Sequence, residues 1–187
     1  MKNKQKTALN NQEKLFILNN QEQEEIFQIP KFRQKNRINY FNISYFKNEY
    51  IKNMKTLESK VVFILQLGYF KSSFQFFSFE LNRCKKDIDF ILRDILDTNK
   101  EIKNFNISSG EKTGRLQRRK IIKILNFKEL KNLEEYEIFL SKHIQTNIDP
   151  KLLFQLLFNY LINNKIIIPK YYIFQSIISK VIKIYEG

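Results

Sequence analysis

Apolar residues recur at intervals of three and four along most of the chain, the spacing that lines one face of a helix. Read this way, the pattern predicts helices over 21–29, 34–41, 45–54, 85–96, 113–125, 130–144, 149–162 and 171–185. Pro30 closes the first of these, and Ser44 is placed to cap the third, its hydroxyl accepting from an orphan backbone N–H. Asp149-Pro150 is a strong helix start, with Asp as N-cap and Pro at the first helical position. The stretch 59–70 (SKVVFILQLGYF) differs, because its apolar residues point in nearly every direction. A helix of that kind is buried on all sides. Gln66 is the one clear polar group in it, and its amide is expected to bond neighbouring backbone. Residues 74–79 (FQFFSF) form an aromatic, extended connector.

Residues 1–17 are rich in Lys, Asn and Gln, show no sustained period, and read as a mobile tail. The segment 104–114 (NFNISSGEKTG) carries the Ser/Gly-rich break of the chain. The expected organisation is therefore a first helical subdomain over 18–107 and a second, DNA-binding one over 113–187. The fold class is all-α: helical-bundle subdomains with helix-turn-helix-like pairs, the two subdomains joined by a short loop near 108–114. Scarce Gly and Pro, at 4 and 3 residues, agree with helices joined by polar loops and disfavour a turn-rich β-sandwich.

Two helix faces carry candidate chemistry. In 113–125 (TGRLQRRKIIKIL) a turn of roughly 100° per residue gathers Lys112, Arg115, Arg119 and Lys123 into one quadrant, with Arg118 in the same cluster. Ile121, Ile124 and Leu125 face away from them, so one side is cationic and the other is core. In the last helix Phe174, Ile177, Ile178 and Val181 are core. Tyr172, Gln175, Ser176, Ser179 and Lys183 lie on the other face.

Charge changes the picture in one direction. The formal net charge is +14, which draws polyanions, nucleic acid first and an anionic membrane surface second. Lys, Asn, Ile, Phe and Tyr are all heavily used, as A/T-rich codons would dictate, so Lys alone is a weak signal. Arg is the better one: of seven Arg residues, three stand at Arg115, Arg118 and Arg119. A single cysteine, Cys84, excludes an intrachain disulfide and fits a reducing, cytoplasmic setting as a small apolar helix residue. No secretory leader follows the basic MKNKQK, and polar residues such as Gln155, Asn159 and Asn163 break the run 152–169 as a membrane span.

Catalytic chemistry has little to build on. The GEKTG at 110–114 lacks the Gly before Lys-Ser/Thr that a phosphate loop requires. His143 is the only histidine and reads as solvent-facing, so a His-based metal site or nucleophilic triad is not expected. The carboxylates, including Asp87 and Asp89, read as solvated faces balancing Lys neighbours. No enzyme activity, cofactor or metal is expected of this chain.

Several stretches together resemble the N-terminal region of Tn3-family transposases. EEIFQIPKF at 24–32 resembles that family's opening helix and its Ile-Pro stop, and NRINYFNISYFKNEYI at 36–51 the segment preceding an acidic helix. SKVVFILQLGYFK at 59–71 resembles its most recognisable stretch, a Phe-x-x-Gln-Leu-x-Tyr-Phe pattern, with Phe76 and Phe77 at the following aromatic positions. RLQRRKIIKILNF at 115–127 resembles a basic helix, and 156–182 two closing helices flanking an apolar-Pro hinge. The resemblance runs from about Ile17 onward. It departs just before the Phe-x-x-Gln-Leu stretch, where Leu57, Glu58, Ser59 and Lys60 replace a common His-Asn-Arg. It implies paired DNA-binding modules that recognise the terminal inverted repeats of a transposon, with an Asp-Asp-Glu metal site further downstream than this chain reaches.

The expected partner is double-stranded DNA, with the remaining transposase domains or a second protomer beside it, and no membrane. Phosphate contacts are expected from the helix bearing Lys112, Arg115, Arg118, Arg119 and Lys123. Base reading is expected from Tyr172, Gln175, Ser176, Ser179 and Lys183 on the last helix. The transposase reading includes a decayed or split gene product; the rival reading is a helical protein-interaction module whose basicity is only genomic.

Overall fold

In the computed structural model, residues 15–43, 49–78, 81–102, 111–144 and 149–187 are described. They form nine α-helices: α1 (Asn20–Phe27), α2 (Gln34–Phe41), α3 (Glu49–Lys52), α4 (Leu57–Ser73), α5 (Leu81–Phe90), α6 (Glu111–Leu125), α7 (Leu133–Ser141), α8 (Pro150–Asn163) and α9 (Tyr171–Glu186). A π-helical turn, Ile91–Ile95, extends α5. Among the described residues there is no strand, only one isolated parallel bridge between Lys128 and Ile166. The protein is all-α.

Helix starts follow local chemistry. Asn19 caps α1 by a reciprocal capping box with Glu22, and the Thr56 hydroxyl accepts from the Ser59 N–H at the head of α4. Asp149 accepts from the Lys151 N–H at 2.8 Å, with Pro150 behind it at the first helical position. The cap expected at Ser44 lies outside the described residues.

Two apolar cores divide the helices. In the first, α4 is the central rod, with every residue from Phe63 to Phe70 buried, and α2, α5, the π turn and α6 pack around it. That is the burial its all-round apolar sequence requires. The second core is built from α7, α8 and α9, with the Phe27 ring of α1 edge-on to Phe154 and Phe174.

This partition differs from the expected halves in both directions. Ile121 of α6 is fully buried in the first core, although α6 follows the Ser/Gly-rich break. Ile17 and Leu18 are buried in the second core, so the end of the expected tail packs rather than projects; residues 1–14 lie outside the described residues. The Tyr171 hydroxyl accepts from the Ile17 and Leu18 N–H groups at 3.2 and 3.0 Å.

The cores meet at an aromatic hinge. Phe74 ends α4 in the left-handed conformation (φ 57°), and its ring stacks on Phe127 at 5.3 Å. The Ile168 N–H donates to the Phe74 carbonyl at 3.0 Å, and Lys128 and Lys165 join through a backbone bond of 2.8 Å. A non-glycine residue in that conformation costs about 1–3 kcal/mol and persists only where its surroundings hold it. The stack and the Ile168 bond are what hold Phe74.

Buried polar groups tie helices together. Asp87, expected on a solvated face, is buried instead: Arg37 Nε donates to its Oδ1 at 2.7 Å and the Tyr69 hydroxyl to its Oδ2 at 2.7 Å. Cys84 is a buried free thiol of α5, and His143 is exposed with its ring against Phe139.

Candidate nucleic-acid interface

α6 is held on the first core by one strip and exposed at Arg115, Leu116, Arg119, Lys123 and Ile124. The strip holds Gln117 and Ile121, both buried, with Arg118 and Leu125 half-buried at its margin. Gln66 of α4 donates to Gln117 Oε1 at 2.9 Å, and Gln117 Nε2 donates to the Ser59 carbonyl at 2.9 Å. The Gln66 amide therefore bonds side chains of α6 rather than the neighbouring backbone expected for it. Such a satisfied buried pair fixes the rotation of α6 about its own axis, since any turn would leave two amides unpaired.

Arg118 belongs to this inner strip and not to the cationic face. Its Nε donates to Gln66 Oε1 at 3.3 Å, and its guanidinium lies 5.6 Å from the centre of the Phe76 ring. Burial pulls its pKa below the ordinary arginine value. The Arg118 guanidinium, expected to contact DNA, is thus tied to α4 and half-buried at the margin of the strip.

Arg115, Arg119 and Lys123 are exposed on the opposite side. The side chain of Lys112 lies outside the described residues. Ile124, expected to face the core, is 39% exposed, and Leu116 is 54% exposed. Lys120, absent from the expected set, flanks the open face with its ammonium 4.9 Å from the centre of the Tyr50 ring. Its angle on the helix was the available signal: at roughly 100° per residue it falls well outside the buried strip.

Other cations serve inside the molecule. Lys71 Nζ donates to the Asn42 and Tyr40 carbonyls at 2.9 and 3.3 Å, and burial lowers its pKa. Lys151 pairs with Glu22, holding the Glu22 carboxyl below its usual range, and Lys180 pairs with Glu137 at 2.6 Å.

On α9, Tyr172, Ser176 and Lys183 are exposed and Ser179 is half-buried. Gln175 is half-buried, and its Nε2 donates to the Leu15 carbonyl at 2.8 Å, clasping the segment that leads into the second core. The face of α6 is cationic and exposed, and that of α9 is exposed at Tyr172, Ser176 and Lys183 and engaged with the chain itself at Gln175.

The family model of a domain of unknown function, DUF4158, matches residues 17–181. The chain belongs to the DUF4158 family. The matched DUF4158 stretch begins at the first buried residue of the second core, Ile17, and ends at Val181 on the buried face of α9. It therefore takes in both cores and the whole of α6. No curated protein and no solved structure matches the chain. Among the described residues, no group of three or more His, Cys, Asp or Glu side chains could hold a metal ion. No helix there is long and apolar enough to cross a membrane.

Proposed function

We propose that this chain binds double-stranded DNA as the N-terminal DNA-binding part of a Tn3-type transposase, gripping the terminal inverted repeats of the transposon during transposition. The observation that carries the reading is the open face of α6, where Arg115, Arg119 and Lys123 stand exposed opposite the Gln117–Ile121 strip. A cationic helix face set on a rigid core is what phosphate contact requires. Membership of DUF4158 and the resemblance from Ile17 onward support the transposase setting. In this reading the remaining transposase domains supply the catalytic centre, and a second protomer is a further partner.

Fluorescence anisotropy with duplex DNA between about 50 and 200 mM salt tests it. Wild-type affinity should fall steeply with salt. Replacing Arg115 and Lys123 together by Gln should flatten the slope of log K against log salt by about 1.8, at roughly 0.9 per phosphate lost. The helix should survive, because Gln is a good helix former. Absence of salt-sensitive duplex binding by the wild type would favour the protein-interaction reading.

The chain contributes binding and no bond breaking. Incubation with transposon-end duplex and Mg²⁺ or Mn²⁺ should leave every strand intact on a denaturing gel. Metal-dependent nicking that disappears when a carboxylate of this chain is changed would overturn that part.

A further inference from the structure

We infer that α6 itself enters the major groove and that its outer ridge, Leu116 and Arg119, reads base edges, so that sequence discrimination lies on α6 and not on α9. The inference rests on the DNA-binding reading above and deepens it. A helix entering the groove, about 12 Å wide, must present roughly half its circumference. The exposed residues of α6, Arg115, Leu116, Arg119, Lys123 and Ile124, span about 180° at 100° per residue. Those of α9 from Tyr172 to Ile184 (Tyr172, Ser176, Lys180, Lys183 and Ile184) span about 120° on the same wheel, and beyond them only Tyr185 and Glu186 at the C-terminal end of the helix are exposed. The packing agrees: α6 sits mainly on α4, whereas α9 packs against both α7 and α8.

Side-chain engagement points the same way. On α9, Gln175 donates to the Leu15 carbonyl and Lys180 pairs with Glu137. Arg119 of α6 enters no hydrogen bond or ion pair among the described residues. The wheel also orders the α6 face. Directly opposite the buried strip, within about 30°, lie Leu116, Arg119 and Lys123. Arg115 and Lys120 flank them, each about 70° away on either side, where the two sugar–phosphate strands would run. Lys123 falls in the last turn, where a groove-bound helix rises toward the backbone. Leu116 and Arg119 are left facing the groove floor. An arginine there forks onto guanine O6 and N7, and an exposed leucine packs on a thymine methyl. Gln66 and Gln117, which fix the rotation of α6, keep that ridge pointing outward.

The test is selection of bound sequences from a randomised duplex library by the full chain, followed by affinities at several salt concentrations. The wild type should enrich a motif containing a guanine. Arg119→Gln should lose preference at that one position by about tenfold, keep the rest of the motif, and leave the salt slope unchanged. Leu116→Ala should relax an adjacent thymine position. Gln175→Ala/Ser176→Ala should leave the motif as it was. If Arg119→Gln instead weakens all sequences equally and flattens the slope by about 0.9, Arg119 is a phosphate contact and the inference fails while DNA binding stands. A motif altered by the α9 pair alone would likewise overturn it. Failure of the wild type to bind any duplex would remove the DNA-binding reading and the inference with it.

Discussion

Replacing Asp87 by Ala is expected to destabilise the protein by about 3–5 kcal/mol, the usual cost of stranding one partner of a buried ion pair. Both oxygens of Asp87 are engaged, by Arg37 Nε at 2.7 Å and by the Tyr69 hydroxyl at 2.7 Å. The side chains of the pair are only 15% and 8% exposed. Alanine would strand the guanidinium on α2 and take the carboxylate acceptor from the Tyr69 phenol on α4 in one step. Ionisation offers Tyr69 no escape, because burial, the largest cause of its raised pKa, remains when Asp87 is gone. The measurement is the urea midpoint of Asp87→Ala against the parent, read by far-ultraviolet circular dichroism. Arg37→Met/Asp87→Leu/Tyr69→Phe should be less destabilised than the single variant, since the desolvation of the charges is then no longer incurred. A loss below about 1 kcal/mol for Asp87→Ala would mean that the network is solvated and its burial is misjudged.

Asp87 also shows where the sequence stops being informative. The apolar period placed most helices within a few residues of their observed ends, and α2 at its observed bounds, because a helix face is a local property. The all-round apolar pattern of 59–70 identified the central rod for the same reason. The period around Asp87 marks Ile88, Ile91 and Leu92 as core, yet it is silent about what neighbouring helices bring to the next position. Arg37 comes from 50 residues away and Tyr69 from 18. Arg118 follows the same logic. Clustering of Arg in sequence suggested a shared surface, whereas Gln66, at a separation of 52 residues, and Phe76 draw that one guanidinium inward. The outward quadrant of α6 was legible from angle alone, because it depends on one helix and one buried strip. The clasp of Gln175 on Leu15 was not, since nothing periodic links positions 160 residues apart.

Gly68→Ala should destabilise by about 1–2 kcal/mol net, against the sign that helix propensity alone would give. In a helix interior alanine is favoured over glycine by roughly 1 kcal/mol. Here a methyl at Gly68 would overlap the Phe41 ring, with Cγ at 3.3 Å and Cδ1 and Cε1 nearer still. The ring has nowhere to go: Phe41 is fully buried and wedged by Phe32, Tyr69 and Phe90 at centroid distances of 5.4, 5.9 and 6.2 Å. Forcing a methyl into a packed core costs about 1–3 kcal/mol or more, which outweighs the propensity gain. Gly114 of α6 is the internal control. Nothing lies within 4 Å of a methyl added there, so Gly114→Ala should stabilise by roughly 0.5–1 kcal/mol. A second-site test isolates the contact. Phe41→Leu alone should be destabilising through the cavity it leaves, but the loss in Gly68→Ala/Phe41→Leu should fall clearly short of the sum of the two single losses. Urea unfolding of the four proteins reads this coupling directly. Additive losses, or a Gly68→Ala variant as stabilised as Gly114→Ala, would show that α2 does not press its Phe41 ring against the bare backbone of α4.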